Sequence, residues 1–264
     1  MRAVQEYSFI FLKIILYIYI YINKELNMSI KNSIRRFANI FGIDIVRLYQ
    51  RPQQTMLGMR SRNIESVIDC GANEGQFGRS ISGVFPKSKL YCFEPLEEPY
   101  KKLAAWAQTQ NGRVQCFNVA LGDHEGEVEM HRHDEHTPSS SLLTSTAHGR
   151  QLFPQTSIES LTKVPLTTLD KALYRYIDQM PGDILLKLDV QGFEDRVLRG
   201  AAGVLAKSSA CVLEVCLDSL YEGQAQFFDL ACLLKVAGYH YAGNLDQVYA
   251  EDGRVVYLDA VFLK

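Results

Sequence analysis

Residues 67–78 read VIDCGANEGQFG: two β-branched apolar residues, an aspartate, and then glycines at 71, 75 and 78. The apolar run Ser66–Cys70 has the composition of a buried strand, and Gln76–Phe85 behind the glycines has that of a helix. A strand that breaks into glycines and enters a helix lets backbone approach a ligand closely, and the free N–H groups of the helix start attract an anion. A second apolar run, Lys89–Glu94, follows and ends in LYCFEP. Glu94, sixteen residues after Gly78, can accept hydrogen bonds from both hydroxyls of a ribose.

The same rhythm continues outward. Val114–Asn118, Ile184–Val190 and Ala210–Cys216 are short apolar runs ending in polar or acidic residues, and Pro99–Thr109, Glu194–Ala206 and Gln224–Ala237 are helix-like. Strands alternating with helices predict an α/β fold: a mainly parallel central sheet with helices on both faces. Val255–Leu263 reads as a last strand, and Asp252-Gly253 before it predicts a hairpin that makes this strand antiparallel to its neighbour. Between Asp123 and Leu166 the rhythm gives way to a polar insert containing HTPSSSLLTST, whose seven Ser/Thr between Thr137 and Thr146 suggest a segment that orders on substrate binding. The sequence shows no internal repeat and no second core, so residues 63–264 are expected to form one domain.

Composition agrees with a large folded core. Of 264 residues, 47% are hydrophobic and 22% charged, which excludes disorder as the dominant state. The six cysteines form no CxxC pair and mostly lie in strand-like runs, as reduced core thiols do, pointing to a cytoplasmic, reducing compartment. The net charge of −2 conceals an asymmetry: residues 1–62 hold ten Lys/Arg against three Asp/Glu, and residues 63–264 hold 18 against 27. An acidic body predicts no nucleic-acid partner; a basic leading piece suggests peripheral membrane contact, or a solvated helix with outward Arg. Ser8–Ile22 is apolar but interrupted by Lys13, shorter than the roughly 18–20 apolar residues that span a bilayer. Residues 1–27 therefore read as an over-extended start ahead of Met28, with a short hydrophobic anchor as the alternative. Residues 28–62 read as a basic amphipathic helix and linker, with Ile30, Ile34, Phe37, Ala38 and Phe41 at helical spacing.

The glycine spacing G-x-x-x-G-x-x-G departs from the dinucleotide pattern G-x-G-x-x-G and weakens a nicotinamide or flavin reading. Asp69 beside the loop is awkward for a pyrophosphate and useful for a cation. S-adenosylmethionine, with an ammonium, a sulfonium, one carboxylate and a ribose, has that charge pattern. On these residues the sequence resembles the FkbM-type methyltransferases, which use S-adenosylmethionine. The resemblance runs from about Ile64 onward through VIDCGANEGQFG, CFEP, NVALGD, Ser139–Ser141, PLTTLD, LLKLDVQGFEDRVLRGA, LEV, LYEGQ and LDAVFLK. It implies a Rossmann-like methyltransferase fold. Gln191 occupies a place where many members carry Glu.

The resemblance places Asp69, Gly71, Asn73 and Gly75 around the methionine moiety, Glu94 on the ribose, and Asn118 with Ala120 beside the adenine. Lys187 and Asp189 close the fourth strand of the series, where such enzymes face the acceptor, and ligands of open α/β sheets do sit beyond the strands' carboxyl ends. Asp189 can then act as base towards a hydroxyl; the plain alternative for Asp189 and Glu194 is capping of the following helix. His131, His133 and His136 cluster with Asp134 and Glu135, yet no fourth ligand is fixed by spacing, so a solvated loop and no metal is expected. His240 reads as a strand residue and Trp106 as packing. The leading expectation is O-methylation of a sugar, glycan or secondary-metabolite hydroxyl. Its rivals are a nicotinamide-dependent oxidoreductase and a non-catalytic cofactor-fold module held at a membrane.

Overall fold

In the computed structural model, Met59, residues 62–133 and residues 136–264 are described. The expectations for residues 1–27 and for the basic helix lie outside them. Seven strands form the central sheet. Strand β1 (Ile64–Cys70) lies inside it, parallel to β2 (Lys89–Phe93) on one side and to β7 (Asp183–Leu188) on the other. Outside β2 lies β3 (Val114–Phe117), and outside β7 lies β8 (Ser208–Cys216), both parallel. β10 (Val255–Leu263) pairs antiparallel with β8 and with β9 (His240–Tyr249), giving the order β3-β2-β1-β7-β8-β10-β9. The hairpin at Asp252-Gly253 is present: Gly253 has φ +86°, and Asp252 Oδ1 accepts from the Arg254 N–H at 3.1 Å. His240 opens β9.

Alternation along each strand sends successive side chains to opposite layers. Val67, Leu185, Val212 and Val261 pack with Ile81 and Phe85 of the α1 region (Gln76–Val84) and Leu103 and Ala107 of α2 (Glu97–Gln108). Ile68, Leu186, Leu213 and Ala260 face the other layer, built from α4 (Leu169–Leu173), α5 (Glu194–Arg199), α6 (Ala202–Lys207) and α7 (Phe227–Val236). The fold is thus Rossmann-like, with helices on both faces. Cys70, Cys92, Cys211 and Cys216 are buried free thiols within these strands, whereas Cys232 on α7 is exposed.

Three expectations need correction. The predicted helix Glu194–Ala206 is two helices, broken at Gly200. A Cβ there would lie 2.1 Å from the Gly122 carbonyl oxygen, and Asp170 of PLTTLD caps the restarted α6 by accepting from the Gly203 and Val204 N–H groups at 2.8 and 2.9 Å. The polar insert is not loop alone. It builds a second sheet in which β6 (Glu159–Thr168) lies between β4 (Ala120–Gly122), parallel, and β5 (Gly126–His133), antiparallel. Pro165 is tolerated in this middle strand because pairing with β4 begins only at Leu166. This sheet also has a small apolar cluster of its own, made by Leu96, Ala120, Met130, Val164 and Leu166. Finally, the Ser/Thr segment is pinned: Ser141 exchanges backbone hydrogen bonds with His131, and Glu222 N–H donates to the Thr144 carbonyl.

Candidate active site

The carboxyl ends of β1, β2 and β7 converge because Gly71 has no side chain. It adopts φ +82°, and a Cβ on it would lie 1.8 Å from the Asp189 carbonyl oxygen. Asp189 N–H donates to the Cys70 carbonyl at 3.0 Å, which fixes the end of β7 against the first loop. The other two glycines serve packing: a Cβ on Gly75 or Gly78 would approach the Trp106 ring to 3.0 Å, so α2 rests on them.

The loop is not an anion cradle. The N–H groups of Gly71 and Ala72 donate to the Phe93 carbonyl, and that of Gly75 donates to the Ala72 carbonyl. Asn73 N–H donates to Glu94 Oε2 at 2.9 Å, and Glu74 N–H donates to Asn73 Oδ1. The loop's donors are spent internally, and its side-chain charges are negative.

Asp69 and Glu94 give the site its electrostatic character. Asp69 is 0% exposed; the Gly78 N–H faces its carboxylate, and Lys187 Nζ stands 3.9 Å away. Burial pushes its pKa from 3.8 up to about 6 against the pull of the Lys187 ammonium, with Asp189 adding to the rise. Glu94 is 4% exposed and accepts from Leu96 N–H at 2.8 Å as well as from Asn73; burial pushes it from 4.5 to about 7. A buried carboxylate beneath the loop and a second one on the cleft wall suit a cationic ligand carrying a diol.

That cleft opens to solvent. Gly71, Glu94, Ala120, Thr137, Val190 and Phe193 line it, with the apolar Val119 and Leu121 beside Ala120. Asn118 is not on its wall: the side-chain amide donates to the Glu94 and Pro95 carbonyls, both at 2.9 Å, and steadies the turn after β2. Asn73 bridges to the insert, its Nδ2 donating to Thr137 Oγ1 at 3.2 Å.

A second cavity lies on the far side of the same wall. Val190 and Thr137 face the first cleft, whereas Asp189, Gln191, His136 and Ser139 face the second. Both oxygens of Asp189 are held, Oδ2 by Lys187 Nζ at 2.8 Å and Oδ1 by Gln191 Nε2 at 2.7 Å. Its recorded partners are side chains, so it does not cap α5. Lys187 is 7% exposed and sits beneath Asp189 rather than on the cavity wall. Burial disfavours its charge, but Asp189 and Asp69 outweigh this and raise its pKa. Glu194 is structural: its Oε1 accepts from the Val190 and Gly192 N–H groups at 3.0 and 3.2 Å, closing the turn in which Gln191 has φ +56°.

The sequence reading missed Glu214 and Tyr221. Gln191 Nε2 also donates to Glu214 Oε1 at 2.6 Å, and the Tyr221 hydroxyl donates to Gln191 Oε1. Burial, then the nearby Asp189 and Asp259, push the Glu214 carboxyl well above its usual range. The available signal was an acid inside the buried run ACVLEVC, the same kind of interruption that marks Asp69 and Glu94. The histidines behave differently from a solvated loop. His131 and His133 are on β5, and His133 is fully buried with Nε2 3.2 Å from Ser145 Oγ. Asp134 and Glu135 lie outside the described residues, and among the described residues no group of three or more candidate ligands could hold a metal.

Comparison with known proteins places this geometry. The sequence model of the methyltransferase FkbM domain matches residues 69–241. The 2-O-methyltransferase NoeI of Sinorhizobium fredii (strain NBRC 101917 / NGR234) is 26% identical over 217 residues, covering 77% of this chain and 84% of its own. The AMB antimetabolite synthetase AmbE of Pseudomonas aeruginosa is 29% identical over 174 residues, which are 56% of this chain and 8% of AmbE. Among solved structures, a methyltransferase FkbM from Methylobacillus flagellatus KT gives a TM-score of 0.46 at 13% identity, covering 76% of this chain and 44% of that one. Streptococcus pneumoniae Sp1610 in complex with S-adenosyl-L-methionine gives 0.45 at 13% identity, covering 81% and 72%. With a family match reaching from the end of β1 into β9, the chain belongs to the methyltransferase FkbM family and is an S-adenosylmethionine-dependent methyltransferase.

Proposed function

We propose that the protein methylates a hydroxyl oxygen of a sugar unit, glycan or hydroxylated secondary metabolite, with Asp189 as the base. The observation that carries this reading is the shared wall: one cleft bears Gly71, Glu94 and Ala120, and Asp189 stands with Ser139, Gln191 and Glu214 in the cavity behind it. When bound, S-adenosylmethionine supplies a methyl group activated by its sulfonium. Glu94 holds the ribose hydroxyls, Asp69 with the Gly71–Gly75 loop and Asn73 holds the methionine end, and Ala120 with its apolar neighbours takes the adenine. Lys187 and Gln191 orient Asp189 while leaving each carboxylate oxygen a further lone pair for an acceptor hydroxyl. Asp189 takes that hydroxyl proton as the oxygen becomes the nucleophile. The description of the Sinorhizobium relative as a 2-O-methyltransferase supports oxygen as the methylated atom. The acidic body, 18 Lys/Arg against 27 Asp/Glu, favours a small-molecule or glycan acceptor over nucleic acid. Among the described residues no helix is long and apolar enough to cross a membrane.

The test is Asp189→Asn, which keeps size and one acceptor oxygen. Turnover of a labelled methyl group should fall by roughly 10²-fold or more, with cofactor affinity within a few-fold. Near-normal turnover would remove Asp189 from the role of base.

A further inference from the structure

The carboxylate read as the base is aimed by an amide, and an amide can face either way. Gln191 Nε2 donates to Asp189 Oδ1 at 2.7 Å and to Glu214 Oε1 at 2.6 Å, which uses both of its protons. A half-turn of the amide would set its oxygen against the two acids instead. Glu214 does little to prevent this. Burial, then the charges of Asp189 and Asp259, push its carboxyl well above the usual range, and a protonated acid can donate as well as accept. Asp189 favours the nitrogen. At the opposite end of the amide, the Tyr221 hydroxyl donates to Gln191 Oε1 and so holds the oxygen away from the acids. Burial raises the Tyr221 pKa well above its ordinary value, which keeps the proton on this hydroxyl.

Tyr221 is itself fixed. It is buried, its N–H donates to Gln224 Oε1 at 2.8 Å, and its backbone bridges antiparallel to Ser145. Its ring rests on Gly192, where a Cβ would lie 3.2 Å from Tyr221 Cδ2. The backbone of Gln191 is held as well, its carbonyl accepting from Ser141 Oγ at 2.6 Å. The movable part of the link is therefore the amide. The Ser139 carbonyl, 3.1 Å from the Tyr221 hydroxyl, is the longer of that hydroxyl's two contacts. Without the hydroxyl the amide oxygen loses its donor and the amide is free to turn. Asp189 would then depend on Lys187 Nζ at 2.8 Å, a single tie about which a carboxylate can swing. We propose that Tyr221 is a positioning residue for methyl transfer, its hydroxyl acting through the Gln191 amide to fix the direction in which Asp189 meets the acceptor. The proposal rests on the reading of Asp189 as the base, and it assigns what sets the aim of that base.

Tyr221→Phe removes the hydroxyl and keeps the ring. The full chain, saturated with S-adenosylhomocysteine, is isotope-labelled at its Asp side-chain carboxyl carbons, and the Asp189 resonance is assigned by its loss in Asp189→Asn. Tyr221→Phe should move that resonance by more than its linewidth, while S-adenosylhomocysteine affinity stays within about twofold. Gln191→Met, which keeps length and removes the amide, should move it at least as far. In that background Tyr221→Phe should add nothing, because the group through which it acts is gone. Labelled-methyl turnover, in the assay used for Asp189→Asn, should fall roughly five- to tenfold in Tyr221→Phe with the KM for S-adenosylmethionine within about twofold. An unmoved Asp189 resonance, an equal shift with and without the Gln191 amide, or undiminished turnover would each overturn the proposal. Failure of Asp189 as the base shows separately, as near-normal turnover of Asp189→Asn.

Discussion

Replacing Glu194 by glutamine should stabilise the protein at alkaline pH and leave it unchanged at acid pH. Burial raises the Glu194 carboxyl from 4.5 to about 7 against the opposing pull of backbone N–H groups, with Asp189 adding to the rise. Between pH 4.5 and about 7, the folded chain therefore holds a proton that the unfolded chain has released. The contribution of this group to stability is greatest below pH 4.5 and falls as pH rises through that window. At about 1.4 kcal/mol per tenfold change in proton affinity, the span amounts to about 3 kcal/mol. Glutamine removes the titration and can keep the geometry, because one oxygen, Oε1, accepts both the Val190 and the Gly192 N–H. Urea unfolding of both proteins at pH 4.5 and pH 8 measures the difference. The variant should match the parent at the lower pH and exceed it by up to about 3 kcal/mol at the higher. Equal destabilisation at both pH values would refute the reasoning, since the two N–H groups would then need the carboxylate more than its burial costs.

Other outcomes follow from the same geometry. Glu94→Ala should weaken cofactor binding by on the order of 1–3 kcal/mol in calorimetry; an unchanged dissociation constant in the folded variant would remove Glu94 from the ribose. Gly71→Ala should cost on the order of 3 kcal/mol or more, from the overlap with the Asp189 carbonyl and the left-handed φ, read as a fall in Tm or loss of soluble protein. Asp170→Ala removes the acceptor of two N–H groups at the start of α6 and should cost about 1–2 kcal/mol in denaturant unfolding with little effect on cofactor affinity.

The strand ends that carry charge were legible because each interrupts an apolar run with one acid: Asp69 after VI, Glu94 after LYCF, Asp189 after LLKL. The parallel sheet was legible for the same reason, since strands buried on both faces are apolar throughout. The insert strands were not. Only two side chains are buried in each of β5 and β6, and a proline sits in the middle strand of the three, so neither periodicity nor composition marks them. That Gly75 and Gly78 also make room for Trp106, some thirty residues on, is not visible in the loop itself. Glu214 and Tyr221 reach Gln191 only through the adjacency of β7 and β8 and the bridge between Ser145 and Tyr221, which are facts of topology that no local window contains.

The position of β10 bears on how the chain comes off the ribosome. The last strand in sequence order lies inside the sheet, wedged between β8 and β9. Until Val255–Leu263 has been synthesised, β8 presents an open, apolar edge, and β9 has no neighbour to pair with. The nascent protein must therefore hold an unfinished sheet until this strand has emerged, and such edges invite pairing with other chains. A stop codon that removes even this one strand would orphan β9 and leave β8 as an open edge, so soluble yield should collapse abruptly, not gradually, as the C-terminal boundary is moved inward past Leu263.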